Sequence, residues 1–157
     1  MEKPSKTARQ LLEGKRVGLT RVVTVAPDSS VLAALQIMAE EDVGAVVVCQ
    51  NGRLVGIMSE RDCARKIELH GKTARDTLVR EIMTEDVIYV TPADSVDKCR
   101  MLMSKHRIRH LPVCDSGEVI GVLSSRDVLE EIISEEEHLI HDLETERLVM
   151  TTNPGVY

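Results

Sequence analysis

The chain contains the same unit twice. A shift of 65 residues aligns positions 27–62 with positions 92–127 without a gap, and both stretches end in Arg-Asp. The tetrapeptide Lys-Thr-Ala-Arg at positions 6–9 also recurs at positions 72–75. One unit has too small a core to be stable alone, so we expect the two copies to pack together with pseudo-twofold symmetry.

Each copy is predicted to run strand, helix, strand, strand, helix. Short β-branched runs stopped by proline predict the first strands, and Ser30 and Ser95 are placed to cap the helices that follow. Two-residue turns close the hairpins at 51–52 and 116–117. The predicted strands are 21–25, 45–49 and 54–58 in copy one and 87–90, 111–114 and 119–123 in copy two, and the closing helices are 60–69 and 125–133.

The fold class predicted from this pattern is α+β, with two β-α-β-β-α repeats packed through their sheets. Residues 130–147 hold eight acidic residues and one basic residue, and their apolar positions recur at helical spacing. They predict an acidic, amphipathic C-terminal helix that would repel DNA and could serve as an interface.

Composition excludes several functional classes. The chain has two Tyr, no Phe and no Trp, so the core must be aliphatic and there is no aromatic platform for single-stranded nucleic acid. No apolar run reaches membrane-spanning length and no secretory signal is recognisable, so a cytoplasmic location without membrane or DNA partners is expected. The spacing of the four cysteines is unlike a zinc site and favours reduced thiols; no metal is predicted.

The junction between the last strand and the last helix of each copy carries the chemistry. It reads Gly-x-x-Ser-x-Arg-Asp, ending at Asp62 and at Asp127. One interpretation is a helix-capping box, in which the serine and the aspartate bond to each other's backbone amides. The arginine favours another, because a cation in the first helical turn is unfavourable unless an anion is bound there. Phosphate at the arginine and sugar hydroxyls at the aspartate would describe a ribonucleotide.

These motifs, occurring twice and in order, resemble the tandem CBS domain pair, or Bateman module, of the stand-alone bacterial type. The resemblance implies an N-terminal segment over 1–19, CBS domains over 20–69 and 83–133, a linker over 70–82 and the tail over 134–157. It further implies two clefts that bind AMP, ADP, ATP, NAD or S-adenosylmethionine, in a homodimer that acts in signal transduction such as energy sensing.

By this resemblance, Asp62 and Asp127 would hold ribose, and Ser59, Arg61, Ser124 and Arg126 would lie at the phosphates. Similarity to the regulatory subunit of the AMP-activated kinase adds Arg109 and His110 as phosphate ligands, so the two clefts should be unequal. Lys105 and Arg107 are expected in solvent. The complete set of predicted nucleotide-binding residues is Thr20, Ser59, Arg61, Asp62, Thr84, Arg109, His110, Pro112, Ser124, Arg126 and Asp127.

Two other functional classes remain open. One is a protein-interaction module whose clefts have lost ligand binding. The presence of Asp and Arg in both copies argues against this class. The other is an enzyme such as an IMP dehydrogenase, which carries this domain pair together with a barrel domain. The 157 residues of this chain leave no room for that barrel. Catalytic residues are not recognisable, and His138 and His141 are interpreted as surface residues. The nucleotide interpretation fails if both aspartates bond only to backbone amides and side chains fill both clefts.

Overall fold

The computed structural model describes residues 4–15 and 22–152. Its elements alternate as the repeat predicts, with an additional helix before each copy. In chain order they are α1 (Ala8–Gly14), β1 (Thr24–Val25), α2 (Val31–Glu41), β2 (Ala45–Gln50), β3 (Arg53–Ser59), α3 (Glu60–Lys66), a 3-10 turn (Glu68–His70), α4 (Val79–Ile82), α5 (Val96–His106), β4 (His110–Asp115), β5 (Glu118–Ser124) and α6 (Ser125–Thr152).

Copy one forms a three-stranded sheet in the order β1-β2-β3, with β1 parallel and β3 antiparallel to β2. The hairpin turn is the predicted pair Asn51 and Gly52, both at positive φ, the backbone conformation that two-residue turns between twisted strands require. The Ser30 hydroxyl accepts from the Ala33 amide, which confirms the predicted N-cap of α2. The closing helix is shorter than predicted because α3 gives way to the 3-10 turn at Glu68.

Copy two repeats this arrangement with a weaker first strand. The hairpin of β4 and β5 is joined at Ser116 and Gly117, again at positive φ. The strand predicted over 87–90 is wrong in extent, because only Val90 pairs, in a parallel bridge with Val113. The chain before Val90 instead lines a cleft between the copies. The closing helix predicted over 125–133 continues without a break into the predicted tail helix, forming the 28-residue α6.

The segment before each copy packs on the other copy. The Ala8 amide donates to the Asp94 carbonyl and the Val96 amide donates to the Lys6 carbonyl, which fixes the N-terminal segment to copy two. In the same way, the Val79 amide donates to the Ser29 carbonyl, which fixes the linker to copy one. The segment from Lys6 is therefore structurally equivalent to the linker from Thr77, and the second Lys-Thr-Ala-Arg, at 72–75, lies five residues before that equivalent position.

Two hydrophobic clusters form the core, one in each copy, and β3 contacts β5 between them. The buried apolar residues in the described part of the chain are Ala, Val, Leu, Ile, Met and Cys, as the composition predicts. The predicted α+β class, with paired repeats and a C-terminal helix, is confirmed. Beyond its first turns α6 is exposed, including Leu139, Ile140 and Leu143.

Candidate functional site

A capping box begins α3 at the end of β3. The Ser59 hydroxyl accepts from the Asp62 amide at 3.2 Å, and the Asp62 carboxylate accepts from the Ser59 amide at 2.9 Å and from its hydroxyl at 3.1 Å. Lys66 lies one turn further along α3, with its ammonium 3.1 Å from the other Asp62 oxygen. This carboxylate is therefore bonded to its own helix on both oxygens.

The same box begins α6 in copy two. The Ser124 hydroxyl accepts from the Asp127 amide at 3.2 Å, and the Asp127 carboxylate accepts from the Ser124 amide at 2.7 Å. The capping interpretation is thus confirmed in both copies. A ribose-binding role for the two aspartates remains a prediction, and it depends on what surrounds each box.

A cavity of about 520 Å³, here called cleft one, lies beside the Ser59–Asp62 box. Its walls come from both copies, because β3 and α3 face the segment that leads from α5 into β4. The chain before Val90 forms a third side. Cleft one is lined by Gly44, Ile57, Ser59, Glu60, Arg61, Asp62, Thr84, Asp86, Val87, Ile88, His106, Arg107, Ile108, Arg109 and His110.

Three arginines are among the residues that line cleft one: Arg61, Arg107 and Arg109. Arg61 also joins the two copies, because it donates to the Arg107 carbonyl at 3.3 Å. Arg107 ends α5 in the left-handed conformation, at φ 53°, which turns the chain towards β4. This residue was expected in solvent; it is exposed, yet it lines the cleft. The carboxylates of Glu60 and Asp86 add negative charge to the same walls.

His110, at the start of β4, lies between the two copies. A Cβ atom placed on Gly44 would lie 3.3 Å from its Nε2 atom, so the imidazole packs closely against copy one. Burial lowers the pKa of His110; the charges of Lys15 and Arg109 act in the same direction, and those of Glu60 and Asp127 oppose it. A lowered pKa favours the neutral imidazole at pH 7, as a hydrogen-bonding rather than a cationic group.

The equivalent surface beside the Ser124–Asp127 box is here called cleft two, and Leu12 and Lys15 of the N-terminal segment contact it. A Cβ atom on Gly121 would lie 2.6 Å from a Leu12 methyl group, so Leu12 contacts the Gly121 backbone. The Lys15 ammonium lies 2.7 Å from the Asp127 carboxylate and donates to the Val122 carbonyl at 2.6 Å. The cation beside Asp127 therefore comes from the N-terminal segment, whereas the cation beside Asp62 comes from its own helix.

The predicted binding residues divide between several places. Pro112 is buried in β4, where its carbonyl accepts from the Val90 amide. Arg126 is 85% exposed and pairs with Glu130 at 3.0 Å, and Thr20 lies outside the described residues. Ser124 and Asp127 lie at cleft two. The residues brought together at cleft one are Ser59, Arg61, Asp62, Thr84, Arg109 and His110.

Sequence reasoning missed several other residues of cleft one. Asp86, Val87 and Ile88 line it because the chain there is not paired as a strand. The signal available was Thr84 immediately before this segment, which the resemblance already placed along the ligand. Glu60 and His106 have no comparable signal, since a charged residue at a helix end is usually solvated.

The cysteines and histidines support no other site in the described part of the chain. All four cysteines are free thiols, and burial, reinforced by Asp62 and Glu60, raises the pKa of Cys63 to about 11. Among residues 4–15 and 22–152, no three His, Cys, Asp or Glu side chains are grouped to hold a metal ion. The helices over the same residues include none with both the length and the apolar content to cross a bilayer.

Comparison with known proteins identifies the family. The CBS domain family model matches residues 15–69 and 79–134. The CBS domain-containing protein CBSX3, mitochondrial, of Arabidopsis thaliana is 40% identical over 113 residues, which cover 69% of this chain and 55% of that protein. The chain thus spans about half the length of this relative.

Solved structures agree. A protein with CBS domains from Burkholderia ambifaria is 40% identical, with a TM-score of 0.79 over 82% of this chain and 95% of that one. The CBS domain pair of protein MJ0100, solved with 5-methylthioadenosine and S-adenosyl-L-methionine, is 25% identical, with a TM-score of 0.73 over 84% and 99%. The chain therefore belongs to the CBS domain family and carries two CBS domains in tandem.

Proposed function

We propose that this chain is a non-catalytic regulatory module that binds an adenosine-derived ligand in cleft one. The observation that carries the proposal is a cavity of about 520 Å³ whose walls come from both CBS domains. This volume lies within the range of small-molecule sites, which combine apolar walls with a few placed polar groups. The MJ0100 pair, which binds two adenosine derivatives, supports the ligand class.

The lining of cleft one suits a nucleotide that carries phosphate. Arg61, Arg107 and Arg109 offer guanidinium groups, which recognise phosphate through paired hydrogen bonds. Apolar side chains on the opposite walls, including Val87 and Ile88, suit the flat face of adenine. We therefore favour AMP, ADP, ATP or NAD over S-adenosylmethionine, whose sulfonium cation the arginines would repel.

Asp62 is proposed to accept from the ribose hydroxyls. Its carboxylate already bonds to Ser59 and Lys66, but a carboxylate has about four lone-pair positions. Two neighbouring sugar hydroxyls can therefore bind without breaking the capping box. The ribose would then lie between the start of α3 and the chain after Thr84.

Ligand binding would couple the two domains. Arg61 belongs to copy one and Arg109 to copy two, so a phosphate held between them favours one arrangement of the copies. A ligand with different affinity for two arrangements shifts their populations by that difference. We propose that a homodimer transmits this shift to a partner protein, with α6 as an available interface.

Thermal unfolding and calorimetry with AMP, ADP, ATP, NAD and S-adenosylmethionine test the proposal. A ligand at 100 times its Kd should raise the free energy of unfolding by about 2.7 kcal/mol. GTP and inorganic phosphate serve as controls for purine and anion effects. If no adenosine compound stabilises the protein or releases heat, the proposed function is wrong.

A ligand-free interaction module is the second candidate. The observation in its favour is that both Asp62 and Asp127 bond to backbone amides of their own capping boxes. Under this alternative, every ligand titration is flat while the oligomeric state is unaffected by nucleotides. Against it stands cleft one, which is a cavity with walls from both domains.

A further inference from the structure

Helix α6 carries an apolar stripe that no other described element covers. Its first turns belong to copy two, where Val128 is buried and Ile132 packs on the core. From Glu135 to Glu146 every residue is exposed, over about 18 Å of helix. The stripe, here called the α6 stripe, is formed by residues that are each between 46% and 59% exposed: Leu129, Ile133, Leu139, Ile140 and Leu143.

The spacing places these residues on one face of the helix. Ile133 follows Leu129 by four residues, Ile140 follows Ile133 by seven, and Leu143 follows Ile140 by three. A face of this kind is usually buried on a domain core, and a contiguous exposed one marks an interaction site. Leu69, on the 3-10 turn, is 78% exposed but stands alone, and such single residues are ordinary on a surface.

Carboxylates border the α6 stripe on both sides. One edge carries glutamates repeated every seven residues, and the other edge carries two acidic residues at the same interval: Glu130, Glu137 and Glu144, and Glu135 and Asp142. Residues 130–147 hold eight acidic residues and one basic residue. The surface around the stripe is therefore strongly negative, and a binding partner of complementary charge is basic.

Glu136 lies within the stripe itself. It is seven residues from both Leu129 and Leu143, and it is exposed. A second copy seated on the stripe would bring two Glu136 carboxylates and both acidic borders into one interface without added cations, which is unfavourable. A lysine or arginine opposite Glu136 would instead form an ion pair there. The charges thus disfavour a second copy and favour a basic partner.

We infer that the α6 stripe binds a basic amphipathic helix of a partner protein, with a lysine or arginine of that helix opposite Glu136. The inference rests on the proposed function for the existence of a partner and adds the chemistry of its docking segment. Apolar side chains packed between the two helices supply the affinity. The acidic borders select basic helices over acidic ones.

Fluorescence anisotropy with a labelled synthetic helix tests the inference on the full chain. The probe has about three heptads, with leucine at a and d, lysine at e and g, and one lysine at a central core position. It should bind saturably, and the same peptide with glutamate in place of every lysine should not bind. The lysines also keep the probe from pairing with itself.

Variants of the chain locate the binding surface. Leu139→Gln/Leu143→Gln should raise the Kd of the lysine peptide by more than about tenfold, because side chains at the centre of an interface contribute most. Leu69→Gln is the matched control, since it makes the same change at an exposed leucine outside the stripe. It should leave the Kd unchanged.

Glu136→Leu tests the position inside the stripe. The wild type should prefer the peptide with a central lysine to one with a central leucine, and Glu136→Leu should reverse this preference. The variant should also self-associate through the lengthened stripe, as measured by sedimentation equilibrium. An unchanged preference would overturn the pairing of Glu136 with a basic residue.

The outcomes distinguish this inference from the proposed function. No saturable binding of the lysine peptide, or equal binding of the glutamate peptide, overturns the inference. So does a wild-type oligomer that Leu139→Gln/Leu143→Gln dissociates, because a second copy would then occupy the stripe. Binding to phosphatidylcholine vesicles that the same variant abolishes would assign the stripe to a lipid surface and overturn it as well.

Nucleotide titrations are measured without the peptide, so the two results are independent. A chain that binds the lysine peptide and no nucleotide removes the proposed ligand and leaves the inference standing. Circular dichroism checks that α6 remains helical in each variant. The comparison of the two peptides needs no variant, so it decides the inference even if a variant does not fold.

Discussion

The two capping boxes begin with the same residues and have different surroundings. Asp62 receives its cation from Lys66 on its own helix, whereas Asp127 receives it from Lys15, on a helix that packs across copy two. The residue equivalent to Lys66 is Glu131, whose carboxylate pairs with Lys6 of the N-terminal segment. Identical motifs therefore give unequal sites, because the residue one turn further and the segment before the domain differ.

The glycines beside the boxes show the same inequality. Gly56 lies against the Met83 side chain and the Thr84 carbonyl, while Gly121 lies against the Leu12 side chain. A glycine in this strand allows close approach, and in both copies the approaching group belongs to the protein. In copy one the approaching atoms belong to the Met83 side chain and the Thr84 carbonyl, and in copy two they belong to the Leu12 side chain.

The largest expected difference between the clefts is in affinity. Asp62→Ala should weaken nucleotide binding by about 1.5–3 kcal/mol, the scale of hydrogen bonds to a charged group, or roughly 13- to 160-fold in Kd. Asp127→Ala should leave the Kd of cleft one unchanged, because Asp127 is not among the residues that line it. Calorimetry with the ligand identified by thermal shift measures both.

The two aspartate variants also control for folding. Each removes an equivalent capping interaction, so both should lose about 1 kcal/mol of stability. An equal loss of affinity in both variants would show that capping, rather than ribose binding, is what the aspartates contribute.

A smaller difference is expected in stability when each glycine gains a methyl group. In Gly56→Ala the Cβ would lie 3.1 Å from the Thr84 carbonyl, which the Ile57 amide holds at 3.0 Å. The cost should be about 1–3 kcal/mol, as for other overpacked sites. Gly121→Ala meets only Leu12, which can move, and should cost at most about 1 kcal/mol. Urea unfolding compares the two; a larger loss in Gly121→Ala would contradict this account of the contacts.

The smallest expected effect is a pH dependence of the free energy of unfolding that is caused by His110, which lies between the two copies. Burial lowers its pKa from the ordinary value of 6.5, so between the folded and unfolded pKa values the unfolded state binds more protons. The free energy of unfolding should therefore fall as the pH drops below about 6.5, and should level off below the folded pKa.

His110→Gln should flatten this part of the pH profile, and His138→Gln, on the exposed part of α6, should leave it unchanged. Urea unfolding between pH 5 and pH 8 measures the slope. A His110→Gln profile that parallels the wild type would assign the pH dependence to other groups.

Local features of the fold were predictable from the sequence. The two hairpin turns and the serine caps of α2 and α5 depend on residues within a few positions of one another, and the repeat can be read by aligning the chain with itself. The conformation of residues 87–90 was not predictable, because the same β-branched residues suit either a strand or the wall of a cleft. Only the pairing of Thr84 with Ile57 of the other copy decides between them.

The candidate site was predictable only in part, because some of its contacts join residues that are far apart in the chain. Arg61, Arg109 and His110 come together at cleft one, in agreement with the resemblance that selected them. The contact between Leu12 and Gly121 was not foreseen, because the two residues are far apart in the chain and neither of them signals it. Arg126 pairs with Glu130 one turn further along α6, and its role at a phosphate stays a prediction.

The crosswise packing of the two preceding segments has a consequence for how the chain can be divided. Val79 and Ile82 of the linker complete the core of copy one, and Ala8 and Leu11 complete that of copy two. A cut near Gly71 would give two fragments, each holding the piece that the other lacks. Such halves should reassemble only as a pair, so the unit that evolution duplicated is no longer the unit that folds.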